Sequence, residues 1–232
     1  MEPAVRPEAT TETRTRFAYR FTRRSGFYLF KLLFGLKIEG KANLPGSEPF
    51  ILVSNHKSWF DPPIIGCSCP RELFYAAKRE LFSHLILGPI VRLLNAVPVA
   101  RSGFDRKVIL KLGEALEKGY GILIFPEGTR FLDDKLHPPR AGVGMLALRH
   151  TVPIVPTFIS GSARIRRQFY RRQLRVRFGR PFSVEELGLE DATGRDKYRA
   201  VAAAVMQRIA EVGGLEPPEK VRTSTKGTKF AK

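Results

Sequence analysis

The chain has 232 residues, 43% of them hydrophobic, with forty Lys and Arg against twenty-two Asp and Glu and a net charge of +18. That length allows one domain with a substantial core and leaves no room for two full-sized ones. A charge of this size spreads positive fields over the surface that suit nucleic acid, anionic headgroups or small phosphorylated substrates, and does not choose among them.

Residues 1–15 are polar, with Thr, Glu, Pro3 and Pro7, and read as a disordered tail. They carry acids where a leader peptide has basic residues, so no cleavable signal is expected. Residues 16–37 follow as an amphipathic membrane-interface helix. Phe17 to Leu36 is aromatic on one side, with Arg16, Arg20, Arg23, Arg24, Lys31 and Lys37 interleaved and no acid in the stretch. Its best apolar run, Gly26 to Leu36, is about half of the roughly 20 residues a spanning helix needs.

Residues 38–215 form the main domain. Phe50 to Ser54 and Leu73 to Ala77 are strand-like, and a broken helix begins near Arg79 within the apolar stretch Leu81 to Val99. Cys67 and Cys69 form a single C-x-C pair with no second pair to complete a zinc site, and read as buried free thiols. Val97 to Val99 is short and extended. Asp105 to Lys118 has helical spacing through Val108, Leu110, Leu112, Ala115 and Leu116. Gly121 to Phe125 is a buried strand ended by Pro126, and Gly142 to His150 a compact helix. Pro153 to Ile159 and Leu174 to Phe178 are strands, and Tyr198 to Val212 is a closing Ala-rich helix. Residues 216–232 read as a second, basic disordered tail. The alternation predicts an α/β fold: one domain with a largely parallel or mixed central sheet flanked by helices, preceded by the N-terminal helix. Active sites of such sheets lie outside the carboxyl ends of the strands.

Two segments of chemical interest sit just there. Asn55-His56 leaves the strand Phe50 to Ser54, and Asp61 follows directly before Pro62. An Asp before Pro is expected to cap a helix, and a tight turn would bring its carboxylate to one ring nitrogen of His56, fixing the tautomer. With no nucleophile of the protein's own beside it, such a dyad suits removal of a proton from a substrate hydroxyl. The second segment is Phe125-Pro-Glu-Gly-Thr-Arg130. Gly128 permits a tight turn and close ligand approach, Arg130 offers a bidentate fork for phosphate, and Glu127 can orient a hydroxyl or brace an Arg.

Together these blocks resemble the glycerophospholipid acyltransferase family, of which 1-acylglycerol-3-phosphate acyltransferase is the best-known member. The resemblance rests on Asn55-His56 with Asp61 (an H-x4-D block) and on Phe125 to Arg130. Val97-Pro-Val-Ala-Arg101 and Val152-Pro-Ile-Val-Pro156 resemble two weaker family blocks in the correct order, and Ala76 to Leu81, with Lys78, is similar as well. The family often has an acid before the Arg of the second block; here that position is Ala100, with Arg106 and Lys107 near enough to share the work of Arg101.

The resemblance implies transfer of a fatty acyl group from acyl-CoA or acyl carrier protein to the hydroxyl of a lysophosphatidic acid-type acceptor, giving phosphatidic acid. Another lysophospholipid or glycerol 3-phosphate is the alternative acceptor. It implies His56 and Asp61 as the catalytic pair, and Arg101, Glu127, Gly128, Thr129 and Arg130 as the acceptor site, with Asn55, Lys78 and Arg106 in support. No cofactor, metal or nucleic acid is expected. The expected surroundings are an anionic membrane surface, the protein being peripheral (monotopic) on its cytoplasmic face. A basic nucleic-acid-binding protein, or a lipid-binding relative without catalysis, is the competing class. The segment Arg164 to Arg180, with eight Arg and no acid around Phe169, Tyr170 and Phe178, is read either as a second patch for anionic lipid or an acidic carrier, or as a solvated strand face and loop.

Overall fold

A computed structural model of the chain describes residues 8–85, 87–99, 106–189 and 192–218. In chain order its elements are α1 (Glu8–Phe34), β1 (Lys37–Glu39), β2 (Phe50–Ser54), α2 (Asp61–Ser68), β3 (Leu73–Lys78), α3 (Arg79–Phe82), α4 (Leu87–Leu93), β4 (Ala96–Val99), α5 (Arg106–Glu117), β5 (Gly121–Ile124), α6 (Gly142–His150), β6 (Ile154–Ser160), α7 (Gln168–Arg171), β7 (Arg175–Phe178) and α8 (Gly194–Gly213). The strands form one seven-stranded sheet in the order β1-β7-β6-β2-β5-β3-β4. Every neighbouring pair is parallel except β6 with β7. The chain is thus a single α/β domain with a mixed, mostly parallel sheet.

The central strands are continuous apolar runs because helices cover both of their faces. All five residues of β2 and all four of β5 are buried. One face carries α5, α6 and α8 through Leu112, Leu116, Leu146, Val201, Val205 and Ile209. The other carries α1 and α2 through Tyr19, Phe30, Phe34, Ile64 and Ile65. Gly144 lets α6 meet α8 closely, since a Cβ there would lie 2.1 Å from the carbonyl oxygen of Tyr198. Strand β7, next to the edge strand β1, alternates half-buried Arg175 and Arg177 with buried Val176 and Phe178, the period of two expected of a strand with one covered face.

The structure differs from the sequence reading in α1 and in β1. Helix α1 begins at Glu8, so Glu8–Thr15 belong to it rather than to a tail; residues 1–7 and 219–232 of the expected tails lie outside the described residues. The helix is also apolar on two opposite sides. Tyr19, Phe30 and Phe34 are buried against the domain, while Phe17, Phe21, Tyr28 and Leu32 are exposed and fall, at 100° per residue, within one narrow arc of the opposite face. Strand β1 was not anticipated: Lys37-Ile-Glu39 is too short and too polar to signal itself, and it is a strand because β7 pairs with it.

Candidate active site

Strands β2 and β5 run side by side and parallel, with Val53 opposite Ile124, so the loops that leave them emerge at the same end of the sheet. Asn55 fixes the first loop. Its Nδ2 donates to the carbonyl of Ile159 (3.0 Å), and its Oδ1 accepts from the N–H of Ile159 (2.9 Å). The side chain thereby replaces a ladder partner where β2 ends. The ring of His56 then stacks on that of Phe125 with centroids 4.0 Å apart.

The expected dyad is formed. His56 Nδ1 lies 2.9 Å from Asp61 Oδ2. That same oxygen accepts from the N–H groups of Lys57 (2.6 Å) and Ser58 (2.7 Å), so the loop closes around the carboxylate, which is fully buried. Asp61 does not cap α2 in the way the sequence suggested. It is the helix's first residue, with Phe60 at the cap position, and its carboxylate turns back to the loop because three donors wait there. With Nδ1 occupied, Nε2 of His56 has no partner among the described residues, and His56 lines the adjoining cavity.

Glu127 is assigned a different place from the one expected. Its Oε2 accepts from the N–H of His56 (2.9 Å) and its Oε1 from the N–H of His137 (3.0 Å). The side chain is 3% exposed and does not line the cavity. Burial pushes its carboxyl up from the ordinary value, and the two backbone donors work against that shift. Glu127 therefore holds the two loops together from behind, and the N–H of Phe131 adds a further tie to the His56 carbonyl (3.2 Å).

The cavity beside His56 holds about 470 Å³. One part is apolar, walled by Pro62, Pro63, Tyr75, Leu81, Ile90, Val91 and Leu94. The other is cationic, with Lys78, Arg130 and Arg140 beside Gly128 and Thr129. Trp59 organises the cations: the Cζ of Arg130 is 3.5 Å from its ring centroid and Lys78 Nζ is 5.1 Å from it. Gly128 has φ +70°, and a Cβ there would fall 2.5 Å from Arg140 Nε; glycine serves both the turn and the approach of that arginine.

Of the residues expected from sequence, His56, Lys78, Gly128, Thr129 and Arg130 line one cavity, while Asn55, Asp61 and Glu127 stand behind it. Arg101 lies outside the described residues, as does the side chain of Arg106. Sequence reasoning missed Trp59 and Arg140. An aromatic inside a His-to-Asp loop next to a cationic motif was a usable signal for the first. Arg140 offered none, because it returns to the site through a long loop, its N–H donating to the Pro126 carbonyl (2.8 Å). Cys67 and Cys69 are free and buried, and burial pushes both thiols up to about 11, as suits inert packing groups.

Comparison with known proteins adds an independent line. The family model Acyltransferase matches residues 35–160. The 1-acyl-sn-glycerol-3-phosphate acyltransferase of Bacillus subtilis is 27% identical over 195 residues, covering 84% of this chain and 96% of the relative. The alpha form of that enzyme from Homo sapiens is 29% identical over 195 residues, covering 79% and 68%. In structure, the 1-acyl-sn-glycerophosphate (LPA) acyltransferase PlsC from Thermotoga maritima superposes with a TM-score of 0.68 at 24% identity, over 88% of this chain and 82% of that one; this likeness establishes the fold. With more than half of the chain matched by the family model, the chain belongs to the acyltransferase family and is an O-acyltransferase.

Proposed function

We propose that the enzyme acylates lysophosphatidic acid to phosphatidic acid, drawing the acyl group from acyl-CoA or acyl carrier protein, by direct transfer without an acyl-enzyme. His56 Nε2 takes the proton of the acceptor hydroxyl as that oxygen attacks the thioester carbonyl carbon. The C–O bond forms, the C–S bond breaks, and the imidazolium returns its proton to the departing thiolate. Asp61 holds Nδ1 protonated and the ring in place throughout.

The observation that carries this reading is the union, in one cavity, of the His56–Asp61 pair with a cationic wall and an apolar wall. A phosphate monoester fits Lys78, Arg130 and Arg140, with Arg101 as a further expected contact, and an acyl chain fits the apolar side. The names of the similar proteins favour the same acceptor.

The enzyme works in this reading as a peripheral protein at an anionic, cytoplasmic membrane surface. Among the described residues no helix is long and apolar enough to cross a membrane. What supports interfacial binding is the outer face of α1, where Phe17, Phe21, Tyr28 and Leu32 are bare beside Arg20, Arg24 and Lys31.

The test is a panel of labelled acyl-CoA and acyl carrier protein donors against lysophosphatidic acid, glycerol 3-phosphate and other lysophospholipids, with products identified by mass spectrometry. Phosphatidic acid should dominate, and His56→Ala should lower its formation by roughly 10²–10⁴. A His56→Ala protein with wild-type turnover would refute the base assignment.

A further inference from the structure

The arginine run from 164 to 180 divides into groups with different surroundings. Arg175 and Arg177 reach Glu39 on the neighbouring strand, at 3.8 and 3.1 Å. Arg172 donates to the carbonyls of Leu32 (2.8 Å) and Lys31 (3.3 Å) in the last turn of α1, where helix carbonyls run short of intrahelical partners. These three arginines tie elements together. The side chains of Arg164, Arg166, Arg167 and Arg171 are exposed and make no hydrogen bond or ion pair with any described residue. Like charges packed into so short a segment repel one another, and no described acid offsets them.

The same segment exposes aromatic surface. Tyr170 is 91% exposed and Phe169 is 49% exposed, yet the segment has a fixed seat: the Phe169 ring meets Phe34 edge-on with centroids 4.7 Å apart. Together with the Arg172 bonds, this sets α7 beside the last turn of α1, where Leu32 is itself exposed, with Tyr28 and Leu29 exposed one turn earlier. Unpaired guanidinium groups flanking a bare aromatic ring match the layering of a bilayer interface, where phosphates take the cations and the ring sits at headgroup depth. An acidic carrier protein would satisfy the arginines, but the adjoining apolar surface calls for a partner that accepts bare side chains without a matching pocket.

We infer that Gln168–Arg171 and its unpaired arginines are a second docking element for an anionic bilayer, clamped to the carboxyl end of α1. The inference rests on the reading of the enzyme as a membrane-surface acyltransferase, and extends it by giving the protein two contact points that set its orientation rather than a single anchoring helix.

The experiment uses the full chain in flotation with phosphatidylcholine vesicles, with and without phosphatidylglycerol. A combined Arg166→Gln, Arg167→Gln, Arg171→Gln variant should lose about fivefold in partitioning per arginine, on the order of a hundredfold in all, on the anionic vesicles at low ionic strength. The difference should shrink as salt rises. Tyr170→Ser, at a site too exposed to disturb folding, should weaken binding to both vesicle types. Both variants should keep wild-type turnover on a short-chain lysophosphatidic acid kept below its micellar concentration. Flotation of the triple variant equal to wild type overturns the inference, and so does a loss confined to turnover with acyl carrier protein as donor, which would make the patch a carrier dock. Failure of the underlying reading has another signature: wild-type protein that neither floats nor acylates any lysolipid.

Discussion

The guanidinium of Arg130 stacks on the ring of Trp59, with its Cζ 3.5 Å from the ring centroid, and Lys78 Nζ shares the same ring at 5.1 Å. In the proposed reaction Trp59 would act on the acceptor's phosphate through the cations it holds. A cation over an aromatic face is stabilised by about 0.5–2 kcal/mol, so Trp59→Ala should raise the KM for the acceptor by roughly 2- to 30-fold with a small effect on kcat. Trp59→Phe should recover part of the loss. Because Trp59 is the chain's single tryptophan, its fluorescence should also respond to glycerol 3-phosphate in wild type and lose that response in an Arg130→Ala variant.

Asp61 is the group on which the loop after β2 closes, and one of its oxygens takes the His56 ring and two backbone N–H groups together. Asp61→Asn is nearly isosteric, but its amide cannot supply one oxygen to all three donors with the charge that binds them. If the amide NH2 turns to His56, Nδ1 becomes the acceptor and Nε2 carries the proton, the wrong tautomer for a base. The expected loss in kcat approaches about 10⁴-fold, with the fold intact by circular dichroism. A drop of less than tenfold would show that the ring needs no fixed tautomer.

Much of this was legible in the sequence, and the reasons are local. A short apolar run such as Phe50–Ser54 reads as a buried strand by its length and β-branched content, and two such strands ending in Asn55-His56 and Phe125-Pro-Glu mark one end of a sheet. The part that escaped depends on distance. Lys37–Glu39 becomes a strand through β7, some 140 residues later in the chain. Glu127 looked like a ligand-facing acid because nothing in Pro-Glu-Gly says which way the side chain turns; the N–H of His56, on the loop after β2, and that of His137, farther along the loop of Glu127 itself, decide it. The second apolar side of α1 was hidden by its own composition, since aromatics on opposite faces blur the single stripe that a helical period reveals.

Glu127 gives a pH-dependent outcome. Burial raises its carboxyl above the ordinary value in the folded chain, so in the folded state the ionised form is disfavoured relative to the unfolded state. The penalty is absent below the unfolded value, develops as pH rises from there through the raised folded value, and is complete above it. Glu127→Gln removes this dependence. It also sets one amide NH2 against a backbone N–H, a constant cost of about 1–3 kcal/mol. Urea melts of the two proteins should therefore differ most in acid, with the gap narrowing as pH rises through that window. Turnover should fall by up to about 10²-fold at neutral pH, because the His56 backbone loses its tie. A gap that widened with pH would mean that the buried carboxylate is net stabilised.

Removing α1 would not report on membrane binding alone, because its inner side is part of the core. Phe30 is 9% exposed and stands 6.0 Å from Phe34, centroid to centroid, in the cluster that also holds Ile64, Ile65 and Leu174. Phe21 is 65% exposed on the outer side of the same helix. Phe30→Ala should cost about 3–5 kcal/mol of stability in chemical denaturation, through lost transfer free energy and the cavity left behind. Phe21→Ala should stay within about 0.5 kcal/mol of wild type, as a surface change does, yet weaken flotation on anionic vesicles. The pair separates the two duties of one helix: a stability loss for the inner residue and a binding loss for the outer one. Were Phe21→Ala to destabilise the soluble protein as much as Phe30→Ala, the outer side would be packed against the protein itself, and α1 could not present it to a membrane.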